Sequence, residues 1–210
     1  MVRGLIAALL TALVSGCAGG MTRADCESAD WSAIGFADGR KGVSARSAEK
    51  HLMDCSGGGY AVDRAAYAEG RSEGLKAYCT TAGGFDAGRL GQEYFNVCPP
   101  AEEKSFLAAF EDGARLHALI LAERDADRAL KAAVDGLDQS AFHLKSIEKR
   151  AASPTISYEG RESARQEAAS LRRDLARLEQ TLPRLEAAFA KARADREAYE
   201  ALLRASGRIF

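Results

Sequence analysis

The chain has 210 residues, with 29 Lys and Arg against 30 Asp and Glu and a formal net charge of −1. That balance argues against a general nucleic-acid binder, which carries a basic excess. Only four prolines and 7% aromatic residues, with Ala, Leu, Glu and Arg abundant, favour helix over sheet.

At the N-terminus, Arg3 precedes a short apolar run from Leu5 to Val14, and Ser15 and Gly16 lead into Cys17. The run is well short of the ~20 residues a membrane-spanning helix needs, and it fits the core of a cleavable export signal. Ser15 and Gly16 are small enough for a peptidase cleft, and the Cys17 thiol can take a diacylglyceryl group. Cleavage ahead of Cys17 would free an amine for a further acyl chain. Each buried CH2 contributes about 0.8 kcal/mol, so several chains give stable anchoring. This segment resembles the lipobox of bacterial lipoproteins. The resemblance implies a signal peptide over 1–16, a lipidated linker over 17–25 and membrane attachment through Cys17. Ala18, and not Asp, follows the cysteine. By the same resemblance, the protein passes to the outer membrane and faces the periplasm. An ordinary signal peptide with an incidental cysteine is the alternative.

Composition then shifts along the chain. Residues 17–113 hold 15 glycines, four further cysteines, and 10 basic against 15 acidic side chains. Residues 114–210 hold three glycines, no cysteine, and 18 basic against 15 acidic side chains. A Gly/Cys-rich head over 26–113 and a second part over 114–210 are expected, with one helix free to run through the boundary.

Cys26, Cys55, Cys79 and Cys98 are even in number in a chain that reads as exported, which indicates two disulfides in an oxidising compartment. Three pairings are open. Cys26–Cys55 and Cys79–Cys98 are favoured because their loops are short. Zinc is the competing reading, but no CxxC and no nearby His pair supports it. No metal and no cofactor is expected.

The head carries an internal repeat of small residues at i, i+4 and i+7. Its copies are Gly35, Gly39 and Gly42; Gly70, Gly74 and Ala77; Gly84, Gly88 and Gly91; and, more weakly, Ala109, Gly113 and Leu116. These positions share one face of a helix. A glycine inside a helix costs about 1 kcal/mol relative to alanine. Repeating that cost points to bare stripes on which helix backbones pack closely. Trp31, Phe36, Tyr67, Tyr78, Phe85, Tyr94 and Phe110 sit beside the stripes. Core packing is the preferred reading of these rings, and a cleft for a small ligand or glycan is the alternative. The glycines match neither GxGxxG nor a GKS/T phosphate loop.

The ordered pattern is distinctive. It runs Trp31-x3-Gly35-x2-Asp38-Gly39-x2-Gly42, then Cys55, then Asp63-x3-Tyr67-x2-Gly70-Arg71-x2-Gly74-Leu75-x2-Tyr78-Cys79. It continues as Gly88-x2-Gly91-x2-Tyr94-x2-Val97-Cys98-Pro99, with Phe106 and Gly113 beyond. Over about residues 26–115 this resembles the bacterial lipoprotein family of domain of unknown function 2799. The resemblance implies an exported, lipid-anchored protein and brings no activity, substrate or catalytic residue.

From Glu102 to about Arg150 the chain is helix-forming, with Leu116, Ile120, Leu130, Val134, Leu137, Ala141 and Leu144 at three-four spacing. Glu123 and Asp127 interrupt the stripe. Ser153, Pro154 and Thr155 break the helix. A second helix is expected from about Glu159 to Ser206. Its heptad seam is Leu171, Leu175, Leu178, Leu182, Leu185, Phe189, Ala192, Arg196, Tyr199 and Leu203. Pro183 lies inside it and is expected to kink it. So short a connection between two long helices predicts an antiparallel hairpin. The expected fold is all-α: a disulfide-stapled, Gly-rich helical head followed by a long, coiled-coil-like antiparallel hairpin.

Catalytic signals are sparse. His51, His117 and His143 are scattered, and no GxSxG or HExxH occurs. Asp38, Glu73 and Asp112 occupy similar places in the repeats and are the candidate carboxylates, with solvent-facing or capping roles as the plainer explanation. No catalytic residue is assigned. The expected function is non-enzymatic binding or scaffolding in the envelope, with an envelope protein or a second copy meeting the hairpin and no nucleic acid. A ligand- or glycan-binding head and an unrecognised envelope enzyme are the alternatives.

Overall fold

The computed structural model describes residues 21–208. The expected signal 1–16 and the lipidation site Cys17 lie outside them. The described chain is 81% helical and contains no strand. Its helices are α1 Arg23–Glu27, α2 Trp31–Arg40, α3 Ala45–Gly57, α4 Arg64–Tyr78, α5 Thr81–Arg89, α6 Pro100–Ala152 and α7 Tyr158–Ala205. No helix among the described residues is long and apolar enough to cross a membrane.

Local chemistry sets the helix starts. Oxygens of Asp30, Ser44, Asp63, Thr80 and Ser157 accept from the backbone N–H three residues on, which satisfies donors that a helix leaves open at its first turn. Thr22 and Asp25 cap each other reciprocally at α1. Gly42 and Gly91 take left-handed backbone angles, φ 63° and 68°, just past α2 and α5. There the N–H of Val43 bonds the carbonyl of Asp38, and the N–H of Gln92 bonds that of Ala87, both at 3.0 Å.

The described residues form two compact units, one up to Cys79 together with Tyr94–Pro99, and the other Thr80–Glu93 together with the residues from Pro100 onward. The composition change near Gly113 falls inside α6 and does not coincide with this division.

In the first unit, α2 packs against α4 through glycines on both helices. A Cβ on Gly35 would lie 2.9 Å from the backbone N of Arg71, and one on Gly39 would lie 2.8 Å from that of Leu75. A Cβ on Gly70 would lie 2.8 Å from the carbonyl carbon of Ser32, and one on Gly74 would lie 2.8 Å from the N of Arg40. A step of four along α2 is matched by a step of four along α4, so the helices run parallel. The bare glycines bring Cα–H groups against carbonyls of the neighbour, contacts of about 0.5–1 kcal/mol each. Tyr78 lays its ring over Gly42. The rest of the core is Cys26, Trp31, Ala48, Leu52, Cys55 and Tyr67.

The second unit repeats the device. A Cβ on Gly88 would lie 2.7 Å from the N of Ala114, and one on Gly113 would lie 2.7 Å from the N of Arg89. Gly84 abuts the backbone of Phe106, and His117 lays its ring over Gly91. Thus the first repeat copy packs on the second, and the third packs on the fourth, each as a parallel pair. A parallel pair needs a returning connection, which is α3 in one case and residues 90–99 in the other. The disulfides Cys26–Cys55 and Cys79–Cys98 close these returns, with Cα atoms 5.4 Å apart in both.

Beyond Gly113, α6 turns back at residues 153–157 into α7. Arg150 pairs with Glu167, Arg172 with Glu148, and Arg196 with Glu123, so partners advance in opposite directions and the hairpin is antiparallel. Helix α7 continues unbroken through Pro183. On α6 the inward positions differ from the expected stripe at one place. After Leu130 the seam steps three residues to Ala133 and then four to Leu137. Val134 is turned about 100° away and is 42% exposed.

Candidate functional site

Two arrangements stand out, one in each unit. In the first unit, Asp38 is the buried charged residue of the core, 8% exposed, on the face of α2 that meets α4. Its Oδ2 accepts the Tyr67 hydroxyl at 2.7 Å and faces His51 Nδ1 at 2.9 Å. Arg71 comes from the next turn of α4. It donates through Nη2 to the carbonyl of Val43 at 2.6 Å, while its buried Nε has no hydrogen-bond partner. Burial first, and then the hydrogen bond to Asp38, push the Tyr67 hydroxyl far above the ordinary tyrosine range. His51 lies on α3 with its side chain 28% exposed. Asp38 orients the ring through Nδ1 and leaves Nε2 for another partner.

The second glycine pair performs the same packing without these groups. Aligning Gly35 with Gly84 and Gly74 with Gly113 matches Asp38 with Ala87, Tyr67 with Phe106 and Arg71 with Phe110. Ala87 and Phe106 are buried, and the Phe106 and Phe110 rings stack with centroids 6.1 Å apart. The polar group is therefore not a requirement of the glycine scaffold. The sequence pattern singles out Asp38 but not Tyr67 and His51 as its partners, nor Arg71 as the cation one turn along α4. The available signal was the spacing Trp31, Gly35, Asp38 and Gly42, which puts an acid on a core stripe.

The other candidate carboxylates have different surroundings. Glu73 is exposed and pairs with Lys76 along its own helix. Asp112 accepts the Tyr199 hydroxyl at 3.1 Å and pairs with Arg208 at 2.6 Å. His117 bonds the carbonyl of Arg89 at 2.9 Å, and His143 lies 3.7 Å from Glu167. Among the described residues no cluster of three or more His, Cys, Asp or Glu is placed to hold a metal ion. Of the aromatics, Trp31, Tyr67 and Tyr78 are core, and the Trp31 indole N–H donates to the carbonyl of Ala61 at 3.3 Å. Phe36 is 42% exposed, with the Arg40 guanidinium 6.0 Å from its centroid.

The second arrangement is the hairpin seam. Its ends are closed. Leu116, Tyr199 and Leu203 form one buried cluster, and Ile147, Ala164 and Ala168 form the other. Between them no seam residue is buried. Leu130, Leu137 and Leu144 on α6, and Leu175, Leu178, Leu182, Leu185 and Phe189 on α7, are all half-covered. The interruption at Glu123 meets an interruption on the other helix. Arg196 pairs with Glu123 and with Glu200, and both acids hold its guanidinium pKa above the ordinary value.

Residues 30–115 match the family model described as "Protein of unknown function (DUF2799)". The match begins at the Asp30 cap of α2 and ends two residues past Gly113, so it takes in both glycine-laced pairs and stops before the hairpin. No curated protein and no solved structure matches the chain.

Proposed function

We propose, from the premise that residues 30–115 are a DUF2799 domain, that this protein is a lipid-anchored component of the bacterial cell envelope acting by binding and not by catalysis. Cys17 holds it at the outer membrane on the periplasmic side, and the α6–α7 hairpin is the binding element. The observation that carries this reading is the seam. From Leu116 to Ile147, and from Ala168 to Tyr199, heptad spacing is kept while no apolar seam residue is buried. At 1.5 Å per residue that is about 45 Å of half-covered apolar surface. Covering it with a further helix would be favourable by about 25 cal/mol per Å². The two disulfides suit an oxidising periplasm.

The experiment is labelling of cells with an alkynyl fatty acid, followed by membrane fractionation. The expected result is a labelled protein in the outer-membrane fraction, with label and attachment both lost in Cys17→Ala. An unlabelled protein in the soluble periplasmic fraction would overturn the anchored reading. The Asp38, Tyr67 and His51 group supports a second reading, a small-ligand site in the head. That reading requires chemical-shift changes at His51 on titration with glycan fragments or other small polar ligands.

A further inference from the structure

We infer that the half-covered seam is closed by a second copy of the same hairpin, forming a four-helix bundle whose two-fold axis runs along its length. This rests on the reading of the hairpin as the binding element. A layer of two helices covers only one side of each seam residue. A second layer with the same heptad spacing and length covers the other side along the whole open stretch, at the 8–10 Å spacing usual for packed helices.

Charge selects the arrangement. On α6, residues 123–138 carry Glu123, Asp125, Asp127, Asp135 and Asp138 against Arg124, Arg128 and Lys131. The stretch of α7 at the same level is fixed by the Arg196–Glu123 pair at one end. Residues 181–196 there carry Arg184, Lys191, Arg193 and Arg196 against Glu186 and Asp195. Mid-α6 is thus acidic and mid-α7 basic. Within one hairpin, Arg196–Glu123 is the ion pair that crosses between these stretches. Asp125, Asp127 and Lys191 pair along their own helices. Asp135, Asp138 and Arg184 have no ion-pair partner among the described residues and are exposed. A two-fold axis along the hairpin sets each α6 beside α7 of the other copy, tip level with tip. Each acidic stretch then lies between two basic ones, and all neighbouring helices are antiparallel. Stacking α6 on α6 would instead put acid against acid.

The test uses the full-length, membrane-anchored protein in cells that express two differently tagged copies. A photocrosslinking residue replaces Val134 or Ala188, both exposed beside the seam. The expected product carries both tags at twice the monomer mass. A product joining one tag to a different protein would overturn self-pairing while leaving the hairpin as a binding element. Absence of any product at both sites, with helix content unchanged by circular dichroism, would overturn both readings. Charge reversal supplies a second arm. Arg184→Asp with Lys191→Asp in one copy should lower the two-tag product by about ten-fold. Asp135→Lys with Asp138→Lys in the other copy should restore it. A two-tag product indifferent to these reversals would overturn the arrangement.

Discussion

Gly39 of α2 and Gly74 of α4 occupy each other's missing side-chain space. A Cβ on Gly74 would lie 3.0 Å from the Cα of Gly39, and one on Gly39 would lie 3.0 Å from the carbonyl carbon of Gly74. The obstacle is backbone on both sides, so no rotamer change relieves it. Gly39→Ala or Gly74→Ala should therefore destabilise the protein by about 2–3 kcal/mol, despite the better helix propensity of alanine. Gly136, inside α6, has nothing within 4 Å of an added Cβ. Gly136→Ala should stabilise the monomeric chain by about 0.5–1 kcal/mol. Urea melts of the three variants in detergent, at concentrations where the chain is monomeric, check both signs.

The Asp38 group should behave as a unit. Asp38→Ala alone leaves the Tyr67 hydroxyl without its acceptor in the core and His51 Nδ1 without its partner, a change that costs about 1–3 kcal/mol. The triple change Asp38→Ala, Tyr67→Phe and Arg71→Phe copies the residues that fill the second glycine pair, Ala87, Phe106 and Phe110. It should recover most of that loss. A triple variant no more stable than Asp38→Ala would show that the two pairs are not equivalent in packing.

High pH should weaken the fold through its buried phenols. Tyr67, Tyr78 and Tyr199 are all raised above the ordinary tyrosine value, with burial the largest cause in each. A raised folded value means that the fold holds the proton more tightly than the unfolded chain does. The resulting stabilisation is complete below about pH 10, the unfolded value, and is lost as pH climbs towards the folded values. The urea midpoint should fall above about pH 10. Phenolate absorbance from Tyr67, isolated by difference with Tyr67→Phe, should appear only together with unfolding.

Each disulfide closes a return between parallel helices, with sequence separations of 29 and 19 residues. Loop-closure entropy gives about 3 kcal/mol for either. Cys26→Ala with Cys55→Ala, and Cys79→Ala with Cys98→Ala, should each lower stability by about that amount in denaturant melts. Equal midpoints with and without a bridge would contradict the assigned role.

Much of the architecture is legible in the chain because its signals are periodic. Glycine at i, i+4 and i+7 marks helix faces that meet backbone to backbone. The seam from Leu171 to Leu203 coincides with the inward face of α7 at every position. Which copy of the repeat packs on which is not legible, because a stripe of small residues carries no record of its partner. Asp38 is visible as an acid on a core stripe, but Tyr67, His51 and Arg71 come from elements whose placement depends on the turns between them. The spacing alone places Val134 inward, because single-residue steps around a three-four alternation change little in sequence and about 100° in space. Glu123 and Arg196 look like separate defects in two stripes until the hairpin register brings them together.

The measurement that most directly tests the central claim is lysine crosslinking with mass spectrometry on the native protein in intact cells. Lys131 lies on the half-covered stretch of α6 and Lys191 on that of α7, whereas Lys41, Lys50 and Lys76 belong to the head. The account predicts that Lys131 and Lys191 give intermolecular crosslinks. Intermolecular links confined to Lys41, Lys50 and Lys76, with Lys131 and Lys191 joined only within their own chain, would contradict it.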